Sequence, residues 1–220
     1  MNPELIVEAV GKTVIAVVGT GLGLQLLRRW QQTRVRVVLY WAVLFLSSAG
    51  YLVGVLIILG RGDPALLTRL HYLTALLAAV LGALAATILM LPLPAGQAER
   101  LSEWLPGVLF LILAVLALAS PLRPALAGEE YAYVAPVDSI HVGVMMLAGL
   151  FSAGTLVFLA LRLKESGYLF MAVAYLLITA GGRMVGSGAL NLALSEVVVL
   201  AGYVLFYWLF SRLMRLEPSV

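Results

Sequence analysis

The amino-acid sequence predicts an all-α polytopic membrane protein: a bundle of seven transmembrane helices, amino terminus outside and carboxyl terminus inside. Three observations carry that expectation. Of 220 residues, 63% are hydrophobic and 11% charged, with a mean hydropathy of +1.06, too little polar surface to clothe a water-soluble domain. Seven apolar stretches stand between polar breaks, each close to the roughly 20 helical residues that cross a hydrocarbon core of about 30 Å. Lysine and arginine collect in alternate connections, which orients the bundle.

The first span, residues 3–27, opens "MNPELIVEAVGK". Glu4 and Glu8 precede its apolar run, whereas a cleavable leader opens on positive charge, so this helix is expected to stay in place. Glu8 and Lys12 stand four residues apart and should satisfy each other on one helix face. "GTGLG" at 19–23 follows no strand and is no dinucleotide motif; its glycines serve helix packing, since lipid makes small residues the means of close approach.

The second span covers 35–59. The third, 69–91, carries His71 near its head and a run of small residues, Ala75, Ala78, Ala79, Gly82, Ala85 and Ala86. The fourth, 104–120, is the shortest. "AVLFL" at 42–46 and "GVLFL" at 107–111 form a faint repeat, each ahead of a hairpin whose second helix begins with a histidine. The fifth span, 138–161, brings His141 with Gly143, Gly149 and Gly154. The sixth, 168–186, ends in "ITAGGRMVGSGAL" with Arg183, and the seventh, 190–210, carries Glu196.

Arg28, Arg29, Arg34, Arg36, Arg100, Arg162, Lys164, Arg212 and Arg215 fall on one side. Arg61, Arg69 and Arg123 fall on the other, among Asp63, Glu129, Glu130 and Asp138. The positive side is expected to be cytoplasmic. The net charge of +3 and pI near 9.3 therefore read as orientation, and no nucleic-acid partner is expected. Residues 1–220 are expected to form one transmembrane domain in the cell (inner) membrane, with the bilayer and other membrane subunits as the expected partners.

Residue inventory removes several chemistries. A chain without cysteine has no disulfide, thiol nucleophile or cysteine-held cluster of its own. A retinal Schiff base needs a lysine inside the bundle, and the two lysines, Lys12 and Lys164, lie near its ends. "GSG" around Ser187 has no base placed beside it, and "GEEYAY" at 128–133 reads as an interfacial anchor. With no complete catalytic motif, the chain is expected not to be an enzyme.

The odd-numbered spans all run from outside to inside, and each has a titratable group near its head: Glu8, His71, His141 and Glu196. The leading expectation is a membrane module that binds a cofactor or ligand near the outer leaflet, most concretely a b-type haem electron-transfer subunit. His71 and His141 would be the axial ligands, with Arg183 near a propionate. A metal held by His71, His141 and Glu196 is a variant of that reading, a pH-responsive histidine pair is another, and two hydrated interfacial imidazoles are the plain alternative. A small secondary transporter or channel would instead use Glu196 and Arg183, which the hairpin between spans six and seven would join as a buried ion pair. A structural subunit of a larger membrane complex and a membrane sensor complete the set.

Overall fold

Inside a bilayer no water is available to backbone N–H and C=O groups, so an apolar chain must pair them within itself. The computed structural model, which describes residues 3–94, 96–124, 131–133, 137–181 and 189–216, does so almost wholly with helices. In chain order, α1 is Pro3–Thr33, and α2, Arg36–Leu46, passes through a 3-10 turn at Ser47–Ala49 into α3, Gly50–Ile58. α4, Pro64–Leu76, passes through a π-helical segment, Leu77–Leu84, into α5, Ala85–Met90. Then follow α6, Gln97–Ala119; α7, Val137–Leu163; α8, Ser166–Gly181; and α9, Ala189–Leu216. Between α6 and α7, β1 (Leu122–Pro124) pairs antiparallel with β2 (Tyr131–Tyr133), Arg123 opposite Ala132.

Among the described residues, six helical stretches are long and apolar enough to cross a membrane: Leu5–Thr33, Arg36–Ile58, Pro64–Met90, Gln97–Ala119, Ser139–Leu163 and Ala193–Leu213. They mark an integral membrane protein. The segment expected as the sixth span behaves differently. α8 has 16 residues, a rise of about 24 Å that falls short of a full crossing, and residues 182–188, where the span was expected to end, lie outside the described residues.

Helix ends are set by caps rather than by hydropathy, and this moves several boundaries. Asp63 Oδ1 accepts from the Ala65 N–H at 2.9 Å and Pro64 supplies a preset φ, so α4 starts ahead of Arg69, where the apolar run was expected to begin. α1 continues past residue 27 through Arg28 and Arg29 until Arg34 takes a φ of 57°. α6 begins after Gly96, at φ 79°, and takes in Glu99, Ser102 and Glu103 before its apolar part.

Close approaches give the relative directions. Gly19 of α1 faces Ser48 and Gly23 faces Leu46, so α1 and the second span are antiparallel. Gly50 meets Thr74 and Gly82 meets the Leu44 backbone, so the second and third spans are antiparallel too. Gly202 packs on Ala174 and Ile178 while Gly167 meets Leu213, so α8 and α9 are antiparallel. The helices form a ring in which α1, the second span, the third span, α7, α8 and α9 each pack on the next and α9 returns to α1. α6 sits outside this ring against the third span, with Trp104, Leu111, Ile112 and Val115 exposed. Two ends follow: one carries Glu8, Asp63 and His141; the other carries Arg28, Arg36, Arg162 and Arg212.

The ring is filled by aromatic side chains. Trp41, Phe45, Tyr175 and Phe206 are fully buried, with Trp41 and Phe206 centroids 4.6 Å apart and Phe45 and Tyr203 centroids 5.2 Å apart. Such tilted and edge-on contacts suit the ring quadrupoles and bind α2, α8 and α9 at mid-bundle. At the arginine-rich end, Arg36 pairs with Glu103 and lies 3.7 Å from Glu99, which ties α2 to α6 through half-exposed groups.

Candidate functional site

Three charged side chains meet where α1, α3 and α9 come together. Glu8 and Lys12, one helical turn apart on α1, form an ion pair with side chains only 18% and 17% exposed. Gly54 of α3 leaves the room for the Lys12 stem: a β-carbon built there would stand 3.3 Å from Lys12 Cδ. Gly11 does the same for Glu196 of α9, whose Cβ, Cγ and Cδ cross directly over it. Glu196 is thus in electrostatic range of Lys12, Glu8 and Tyr51. All three charges belong to helices that are long and apolar enough for a membrane, where such groups face the bundle interior or one another.

The composition of this cluster decides what it can do. The cluster has two carboxyl groups for one ammonium group, so with every group ionised it would hold one net negative charge. A proton or a monovalent cation removes it, and in a low-dielectric setting that compensation is strong. Gly11 leaves the space that the Glu196 side chain occupies, and Gly54 keeps the wall beside the Lys12 stem open.

The histidines occupy the same end of the bundle but engage different neighbours. His71 Nδ1 is 3.3 Å from the Gly50 carbonyl oxygen of α3. The His141 ring lies against Tyr72, centroids 4.5 Å apart. Residues 71 and 72 of α4 point about 100° apart, so α4 directs one imidazole toward α3 and offers its other face to α7. The metal set expected from His71, His141 and Glu196 is not assembled: among the described residues no group of three or more His, Cys, Asp or Glu side chains could hold a metal ion. The reason is the ring order, which sends Glu196 to the junction with α1 while His141 meets the third span.

Arg183, expected to pair with Glu196 or to reach a haem propionate, lies outside the described residues, as do Ser187, Glu129 and Glu130. Arg69, read from the sequence only as a boundary charge, donates to the carbonyls of Leu118 and Ser120, the latter at 3.1 Å. It thereby closes the end of α6 onto α4. Tyr51 and Gly54 drew no notice in the sequence because nothing local distinguishes them; only the fold brings them to Glu196 and Lys12. No family model, no curated protein and no solved structure matches this chain.

Proposed function

We propose that this protein is a small secondary transporter or channel module, a single seven-helix domain spanning residues 1–220, whose working site is the Glu8–Lys12–Glu196 cluster. In this reading α8 belongs to the sixth of the seven crossings. The amino terminus is outside, and the arginine-rich end faces the cytoplasm at the cell (inner) membrane. Other membrane subunits can join through the lipid-facing sides of α6 and α7.

The observation that carries the reading is a second carboxyl group, that of Glu196, laid against an existing ion pair at a helix junction. Glu196 lies across Gly11 beside a carboxylate and an ammonium that already pair with each other. Such a site gains from binding a proton or a monovalent cation and must release it to reset, which is the requirement of a transport site. The haem b reading has less support: His71 is directed at Gly50 and His141 at Tyr72, whereas axial ligation needs both imidazoles aimed at one iron. Oxidised and reduced absorption spectra of the purified protein decide that point.

The test uses proteoliposomes adsorbed on a solid-supported membrane, with sodium and pH jumps applied in turn. Charge movement above that of protein-free vesicles, lost in Glu196→Gln, is the expected result. Equal currents from the wild type and Glu196→Gln under both jumps would remove the cluster from any transport role.

A further inference from the structure

At the arginine-rich end, the last turns of α9 border a cleft of about 340 Å³ lined by Tyr207, Trp208, Ser211 and Arg212. The volume stands at the lower end of the roughly 300–1,000 Å³ of small-ligand sites. Tyr207 ties one edge of the cleft to α1, its hydroxyl donating to Gln25 Oε1. Gly11 meets Glu196 and Gln25 meets Tyr207, so α1 and α9 run parallel. One helical turn beyond the Gln25–Tyr207 bond, Arg29 of α1 therefore comes level with Ser211 of α9.

The lining residues differ in character. Ser211 is 8% exposed and Trp208 is 54% exposed, so the cleft passes from a hydroxyl on its inner side to an indole on its outer side. The Arg212 guanidinium carbon lies 5.7 Å from the Trp208 ring centroid, within the range at which an aromatic face holds a cation. At the same end Arg36 is neutralised by Glu103 and Glu99, whereas among the described residues Arg29 and Arg212 form no ion pair and no carboxylate lines the cleft. The site thus has positive charge, a planar donor suited to phosphate oxygens and a hydroxyl, with nothing anionic to match them.

The approach to the cleft is apolar. Leu194, Val197, Val204 and Trp208 form one exposed stripe along α9, spaced as a single helix face requires. The 15 residues from Val197 to Arg212 rise roughly 22 Å, more than the approximately 15 Å of hydrocarbon in one leaflet. Aliphatic face, interfacial indole and then guanidinium succeed one another in the order of a phospholipid's chains, glycerol level and phosphate.

We propose that this cleft binds one anionic phospholipid of the adjoining leaflet. Arg212 and the Ser211 hydroxyl take the phosphate, Arg29 adds its charge beside them, and the acyl chains lie along the α9 stripe. The charge selects an anionic headgroup, and the stripe selects a lipid over a soluble phosphate ester. The site lies at the opposite end of the bundle from the Glu8–Lys12–Glu196 cluster and stands whether or not the protein transports ions.

The experiment is native mass spectrometry of the full chain in detergent, titrated with phosphatidylglycerol or with phosphatidylcholine of the same acyl chains, to give a dissociation constant for the first lipid bound. The wild type is expected to hold phosphatidylglycerol about tenfold more tightly, two arginines partly screened being the source of the preference. Arg212→Gln should weaken phosphatidylglycerol about fivefold, the factor that matches one basic residue near an anionic lipid surface, and leave phosphatidylcholine unchanged. Arg162→Gln, an exposed arginine of α7 at the same end, should alter neither constant. Thermal midpoints equal to that of the wild type show that both variants keep the fold. Equal losses in Arg212→Gln and Arg162→Gln would replace the cleft by a diffuse basic surface, and the absence of any preference in the wild type would remove the site. Glycerol phosphate, a headgroup without chains, should fail to displace the lipid when added in excess; displacement would overturn the lipid assignment in favour of a soluble phosphate.

Discussion

A methyl group at Gly11 would stand 2.6 Å from Cγ and 2.8 Å from Cβ of Glu196. Gly11→Ala therefore forces α1 away from α9 or turns the carboxylate out of its place. Overpacking of this kind costs about 1–3 kcal/mol. Gly82→Ala, aimed at the Leu44 backbone, and Gly202→Ala, aimed at the Ala174 carbonyl, should do the same. Gly21, Gly149 and Gly154 have nothing within 4 Å, so alanine there should be neutral or stabilising by up to about 1 kcal/mol, the gain of replacing glycine in a helix. Thermal unfolding in one detergent measures both sets.

Lys12 is the cation of the cluster, and its loss leaves Glu8 and Glu196 facing each other without compensation. Lys12→Met is expected to destabilise by about 1–3 kcal/mol and by more than Glu8→Gln, which leaves one carboxylate for the ammonium. Adding Glu196→Gln to Lys12→Met should recover part of the loss, because it removes one of the stranded charges. A double-mutant cycle of unfolding midpoints reads the coupling; strict additivity would mean that Glu196 and Lys12 do not interact.

Trp41 is fully buried and touches Tyr175, Phe206 and Phe210. Trp41→Ala empties the middle of the ring and should cost about 3–5 kcal/mol. Trp104→Ala, on the exposed side of α6 at 73% exposure, should cost little. Comparable losses in both would mean that α6 is covered by a partner.

Orientation can be read by labelling, since the chain has no cysteine. Arg61→Cys lies in the exposed connection between α3 and α4, and Lys164→Cys in that between α7 and α8. An impermeant maleimide on intact cells should label position 61 and spare position 164. The reverse pattern would invert the assigned topology.

What the sequence revealed depended on range. Runs of apolar residues report solvation directly, so Pro64–Met90 and Arg36–Ile58 were visible as spans, whereas Asp63 and Gly96 moved helix starts by local capping that hydropathy does not register. The Glu8–Lys12 spacing is one turn of helix and needs no tertiary knowledge. Glu196 could be marked as an expensive charge, but Lys12 and Gly11 could not be named as its neighbours, because the packing of α9 on α1 is a tertiary contact; Arg183, sought as its partner, lies outside the described residues. His71 and His141 looked alike because depth can be counted along a helix, while the direction of each side chain depends on which neighbour its helix meets.

The π-helical segment Leu77–Leu84 makes the third span a rotary spacer. A π segment holds more residues per turn than the α-helix around it, so it delays the angular phase of everything that follows. Thr74, before it, faces Gly50 of the second span, and Thr87, after it, faces Ser152 of α7. Deleting one residue inside the segment would leave the 27-residue span long enough for a bilayer, yet advance its later half by roughly 100° and swing Thr87 off its partner. The chain length of this span and the compass bearing of its side chains are thus separable quantities, one set by the membrane and the other by a local surplus of backbone.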